Sequence, residues 1–175
     1  MSKSINTAAI IRTAVLEDAQ AILQIQKEVI AERDYLMSVP EEFNQTLDQQ
    51  KNWIKKILDN ERETILVAEI DNEIVGWIAF LSNSRKRLSH VGSFGIMIRK
   101  DYRERGIGRM LISELLSWAA HNPFIEKVSL GVFSTNTRAI ALYKSMGFIE
   151  EGRKKKEVKV SETEYWDDIL MYKLV

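Results

Sequence analysis

The glycine-spaced turn Arg103-Glu104-Arg105-Gly106-Ile107-Gly108 constrains this chain more than any other stretch, because of what flanks it. Residues 94–99 (FGIMIR) read as an apolar strand. Residues 110–120 (MLISELLSWAA) carry an amphipathic helix pattern, with Met110, Leu111, Leu115, Trp118 and Ala119 on one stripe. A strand therefore runs through a tight turn into a helix N-terminus. There the first backbone N–H groups lack intrahelical acceptors and the helix dipole favours an anion. Glycine at 106 and 108 permits positive φ and lets a ligand approach the backbone closely. Arg103, Arg105 and Arg109 bring positive charge to the same place. A pyrophosphate suits this chemistry, although glycine at such a turn also serves packing. Two nucleotide patterns are absent. From Gly106 the chain reads GIGRML, without the third glycine of a dinucleotide fingerprint, and no G-x-x-x-x-G-K-[ST] loop occurs.

A second segment, residues 136–148 (NTRAIALYKSMGF), follows a strand pattern at residues 127–133 (KVSLGVF). Asn136 suits a helix N-cap and Gly147 the left-handed position at a C-terminus. Asn136, Ala139 or Ile140, and Tyr143 share one helical face. The two segments, in this order and separated by one helix and one strand, resemble the GCN5-related N-acetyltransferases, the GNAT superfamily. The resemblance implies an α/β (α+β) fold with a mixed, mostly antiparallel central sheet and helices on both faces. It also implies acetyl-CoA (coenzyme A) as cosubstrate, its pyrophosphate at Arg103, Arg105, Gly106, Ile107, Gly108 and Arg109. By the same resemblance Ile96, Met97 and Ile98 pair with the pantetheine arm, and a backbone N–H there polarises the thioester carbonyl; buried core strand is a compatible reading. Asn136 is then a pantetheine contact as well as a cap. Tyr143 becomes the acid for the departing thiolate, the plain alternative being a half-buried packing tyrosine. A phenol of pKa about 10 is a competent acid for a thiol of pKa about 8.5.

The remaining elements follow from periodicity. Residues 10–14 form a short strand and residues 17–33 a helix with Ala21, Ile22, Ile25, Val29 and Ile30 facing in. Residues 34–44 are a loop, and residues 46–59 a helix capped by Thr46. Residues 64–70 and 73–81 pair as a hairpin across Asp71-Asn72, and a long strand spans residues 89–99. A closing hairpin turns near Ser161-Glu162 and ends in residues 165–175. The order is β-α-α-β-β-β-α-β-α-β-β, and residues 1–175 read as a single acetyltransferase domain. With 175 residues and 45% hydrophobic content, a sizeable core is available. Lys+Arg and Asp+Glu are 25 each, so nothing points to nucleic acid or a membrane surface as partner. No Cys is present, which excludes a cysteine nucleophile and suits a reducing compartment. With no apolar run of signal-peptide or membrane-span length, cytoplasmic residence is the expectation. The basic runs at residues 85–87 and 153–156 read as solvated turn and strand.

The general base is not legible. An amine acceptor must lose a proton before attack. The resemblance places a glutamate in some relatives where this chain has Gly131 or Ser93. Glu28, Glu32, His90 and a water chain remain as candidates. Tyr165, Trp166 and Asp168 are candidate acceptor-pocket residues on the final strand. No metal site is expected. The reading is an acetyl-CoA-dependent N-acetyltransferase acting on a primary amine of a small molecule or amino acid by direct attack on the thioester. The alternatives are a protein N-terminal (ribosomal-protein) acetyltransferase and a non-catalytic CoA-binding sensor. A homodimer is an expected option, since many relatives dimerise.

Overall fold

The computed structural model describes residues 8–175; residues 1–7, which the sequence reading places in the same domain, lie outside the described residues. The strands are β1 (Ile10–Thr13), β2 (Thr64–Ile70), β3 (Glu73–Ser82), β4 (Val91–Ile98), β5 (Lys127–Phe133), β6 (Ile149–Lys159) and β7 (Tyr165–Leu174). The helices are α1 (Ala19–Ala31), α2 (Leu47–Leu58), α3 (Ile107–His121) and α4 (Thr137–Ser145). All seven strands join one sheet in the order β1-β2-β3-β4-β5-β7-β6. Every neighbouring pair is antiparallel except β4 with β5. The expected element order and mixed sheet are both present.

Local chemistry explains the boundaries. The β2–β3 hairpin turns on Asp71 and Asn72 at φ of 51° and 65°, the paired left-handed geometry of a type I′ turn. Thr46 and Gln49 cap α2 reciprocally: Thr46 Oγ1 accepts from Gln49 N–H at 3.2 Å and Gln49 Oε1 from Thr46 N–H at 2.9 Å. The first helix begins at Ala19 rather than residue 17 because residues 16–18 wind as a 3₁₀ turn. The buried Asp18 carboxylate fixes that turn, accepting from Arg12 at 2.8 and 2.9 Å and from Val15 N–H at 2.8 Å. Similarly β4 begins at Val91, since Lys86–Leu88 form a 3₁₀ turn that Ser89 closes onto the Lys86 carbonyl.

Helices cover both faces. Ile22, Ile25, Ile54 and Ile57 of α1 and α2 pack on Ile65, Val67, Trp77 and Ala79. On the other face Leu111, Ile112, Leu115 and Ala119 of α3 pack on Leu66, Ile78, Phe80, Phe94 and Val128. The period-2 alternation of β2 feeds the two cores in turn, so the strand reads as an unbroken apolar run. The predicted α3 stripe needs one correction: Met110 is 38% exposed and Ile112 takes its place inward. Gly92 sits where β4 passes the buried Phe80 ring. A Cβ there would lie 2.2 Å from Phe80 Cζ and 2.6 Å from the Leu81 carbonyl oxygen. Gly92→Ala is therefore expected to cost about 3 kcal/mol and lower Tm by roughly 6–12 °C, read by circular dichroism melting.

Candidate active site

The site begins where the sheet splits. β4 and β5 are paired only across Val91–Ser93 and Lys127–Ser129. Beyond these residues β4 continues along β3 to Ile98, while β5 continues along β7 to Phe133. A wedge opens between Phe94–Ile98 and Leu130–Phe133. Hydrogen-bond alternation decides which main-chain groups face it. Arg99 N–H donates to the Val75 carbonyl at 2.9 Å, and Asn83 N–H donates to the Val91 carbonyl at 3.2 Å. In an antiparallel ladder this commits residues 91, 93, 95 and 97 to β3. The polar groups of Phe94, Ile96 and Ile98 point into the wedge instead. Ser129 Oγ, which donates to the Gly92 carbonyl at 2.9 Å, fits the same alternation on the β5 side. Met97 differs from its two neighbours: its main chain pairs with β3 and its side chain packs against the α1–α2 core, although the residue also borders the cavity described below.

The turn into α3 forms the mouth of the wedge. Gly106 is the N-cap at φ 80°, ψ 0°, with no side-chain cap on the helix. The first-turn N–H groups of α3 are left for a ligand. A Cβ at Gly106 would meet nothing within 4 Å, so its conformation, not crowding, demands glycine. Gly108 differs: a Cβ there would make ordinary contact with Ile98 Cδ1 at 3.4 Å and Leu142 Cδ2 at 3.5 Å.

The three arginines have three different fates. Arg103 donates from both terminal nitrogens to Glu32, at 2.7 Å each, and from Nε to the Ile98 carbonyl at 2.9 Å. It straps α1 to the turn and its charge is already matched. Arg105 lies over the Tyr102 ring at 5.2 Å, outside the cavity that the wedge encloses. Arg109 lines that cavity and donates to Ser145 Oγ at 2.8 Å, with no carboxylate partner among the described residues. Arg138, unnoticed in the sequence, also lines the cavity and pairs with Glu104 at 2.6 Å. Its signal was its place on the first turn of the helix that Asn136 caps.

The cavity, about 710 Å³, takes its far wall from α4 and the β5–β7 half. Its size falls within the range of small-molecule sites. Asn136 Oδ1 accepts from Ala139 N–H at 3.2 Å as a cap, and the residue also faces the cavity. Tyr143 is buried edge-to-face against Phe94 at 5.9 Å and Phe148 at 6.0 Å. Burial pushes its phenol up to about 12. Ile96, Ile98, Gly106, Ile107 and Gly108 line the same space.

The base candidates separate cleanly. Glu28 pairs with Arg99 at 3.3 Å and lies outside the cavity. Glu32 reaches the cavity but is the bidentate partner of Arg103. His90 lies at the opposite end of β4, its carbonyl accepting from Glu126 and Lys127 N–H at 2.9 and 3.2 Å. Tyr165 is exposed and outside the cavity, and Trp166 packs on Phe133 at 5.8 Å and Tyr35 at 6.4 Å. Asp168 alone of that trio lines the cavity, where burial raises its carboxyl above the usual range. Among the described residues no three His, Cys, Asp or Glu side chains could together hold a metal ion, and no helix is long and apolar enough to cross a membrane.

Comparison with known proteins places these features in company. The model of the acetyltransferase (GNAT) family matches residues 28–148. Over 151 residues, 84% of this chain and 86% of its relative, the chain is 31% identical to the L-amino acid N-acetyltransferase AaaT of Escherichia coli (strain K12). It superposes on an acetyltransferase of the GNAT family from Streptococcus pneumoniae with TM-score 0.91 and 27% identity, covering 96% of this chain and 100% of that one. An acetyltransferase from Salmonella typhimurium, solved with its cofactor acetyl-CoA, superposes with TM-score 0.84 and 21% identity over 95% of this chain and 94% of that one. At that identity the last likeness is one of fold.

Proposed function

Because the chain belongs to the acetyltransferase (GNAT) family, whose acetyl donor is acetyl-CoA, we propose that it acetylates the primary amine of a small molecule, an amino acid first, by direct attack on the thioester. The 31% identity to an L-amino acid N-acetyltransferase supports that acceptor class. The observation that carries the reading is continuity: the open edge of β4 leads directly into the uncapped N-terminus of α3, along one wall of one cavity.

These residues fit the donor, since the open cradle at Gly106 leaves the helix N–H groups accessible to an anion. When bound, acetyl-CoA supplies an acetyl group activated as a thioester. The N–H groups at the start of α3, with Arg109 and Arg138, would hold the pyrophosphate. Arg103 would act indirectly by fixing the turn against Glu32. The exposed N–H groups of Ile96 and Ile98 would hold the pantetheine arm and steady negative charge at the carbonyl oxygen. Asn136 keeps its Nδ2 free of the cap and would contact the same arm. Tyr143, protonated at any working pH, would donate a hydrogen bond to the sulfur as its charge builds.

The test is thiol release from acetyl-CoA against a panel of L-amino acids, polyamines, aminoglycosides and short peptides. Turnover is expected with small amines. Turnover with peptides alone would shift the reading to a protein N-terminus, and tight acetyl-CoA binding without turnover to a CoA-binding module.

A further inference from the structure

Asp168 stands out as the buried carboxylate that the fold leaves unanswered. It is 4% exposed, in the cavity wall on β7 opposite Phe133 of β5. Its Oδ1 has no hydrogen-bond partner among the described residues. An orphaned carboxylate oxygen is costly to bury, so native structures seldom keep one without use. Glycine at 131 makes the space for it. A Cβ there would sit 3.0 Å from Asp168 Oδ1 and 3.4 Å from Oδ2. The surroundings suit a primary ammonium: Phe133 lines the cavity beside the carboxylate and packs at a tilt against Trp166, which meets Tyr35 from the loop after α1.

Resting on the acetyltransferase reading above, we propose that Asp168 receives the acceptor's ammonium and takes its proton, making it the catalytic base of the reaction. The N–H bond of the ammonium breaks, its proton passes to the Asp168 carboxylate, and the freed lone pair forms the C–N bond as the C–S bond breaks. The proton that nitrogen loses on becoming an amide ends on the departing sulfur, and Asp168 returns its own to water. Among the charged groups on neighbouring elements, Lys154 of β6 favours the carboxylate while Glu157 of β6 opposes it, and these two also pair with each other at 3.5 Å. Gly131, Val132 and Phe133 of β5 bring no titratable group, and Asp34, Tyr35 and Tyr143 face the same cavity. Burial outweighs these influences and raises the carboxyl's affinity for a proton, narrowing its gap to an amine.

The test uses Asp168→Asn, which preserves shape. Because the folded-state pKa is raised, the ionised carboxylate weakens the fold above that pKa, so the variant is expected to melt no lower than the wild type at pH 8. With acetyl-CoA and the best acceptor of the L-amino acid panel, kcat/KM is expected to fall about 100-fold near neutrality. The deficit should shrink about tenfold per pH unit as the acceptor deprotonates in solution. A wild-type pH profile in the variant overturns the assignment while leaving the acetyltransferase reading intact. The carboxyl-carbon NMR titration of the free protein needs no turnover. A resonance titrating above the ordinary value of about 3.9 supports Asp168 in this role, and one at or below it overturns it.

Discussion

Gly106→Val is expected to raise the Kd of acetyl-CoA about 100-fold or more, while Gly108→Ala changes it by less than about threefold. Both glycines stand in one turn, yet they are there for different reasons. At Gly106 the backbone is left-handed and a Cβ would meet nothing within 4 Å, so conformation rather than crowding at Cβ sets the cost of a valine. Holding an L-residue there costs about 1–2 kcal/mol, more when it is β-branched. The chain would relieve that strain by turning the peptide, which would swing the first N–H groups of α3 away from the pyrophosphate they are proposed to hold. Losing two charge-assisted hydrogen bonds at about 1.5–3 kcal/mol each accounts for a 100-fold change. At Gly108 the added methyl would enter ordinary contact with Ile98 and Leu142, and the backbone carries no left-handed constraint. Isothermal calorimetry on both variants decides it, and equal losses in the two would refute the distinction.

Tyr143→Phe is expected to lower kcat about 100-fold with acetyl-CoA affinity nearly unchanged. The ring keeps its edge-to-face contacts with Phe94 and Phe148, and the hydroxyl makes no hydrogen bond among the described residues. Its removal therefore strands no partner, and stability near neutrality should hold. The phenol raised to about 12 is a weaker acid than an ordinary tyrosine, so in the proposed reaction its service would be a hydrogen bond to developing thiolate charge rather than early proton transfer. No alkaline limb from Tyr143 should appear in the rate profile below about pH 11. The raised folded-state value also fixes the sign for stability. Its contribution is complete below the unfolded pKa near 10 and is lost as pH rises to about 12, a decline that Tyr143→Phe removes. Stopped-flow and steady-state kinetics check the rate, and melts between pH 9 and 12 check the linkage. A variant within twofold of wild-type kcat would remove Tyr143 from the chemistry.

Two local features around the cavity are legible in the sequence. The turn at Gly106 and the cap at Asn136 are local, since each depends on residues a few positions apart, and local chemistry survives into the fold. The structure adds detail where neighbours come from distant parts of the chain. Arg103 reads as a free cation until Glu32, from the first helix, reaches it. The resemblance assigns Ile96, Met97 and Ile98 together, whereas the strand's alternation turns the Met97 peptide group toward β3. Asp168 reads only as one of three pocket candidates on β7, and the space that singles it out comes from the absence of a side chain at Gly131 on the neighbouring strand. No periodicity in a sequence records a vacancy opposite.

The seam between β4 and β5 has a mechanical consequence. Three residue pairs, Val91–Ser93 with Lys127–Ser129, are all that stitch one half of the sheet to the other by backbone pairing. Each half is held by longer ladders, and among the described strand pairs the link between them is the shortest. A ligand held at once by β4 and α4 spans that link and becomes a second suture, fastening at the open end what the backbone fastens only at the closed one. Its binding energy then adds to the cohesion of the two halves, and the occupied protein unfolds more nearly as one piece than the empty one.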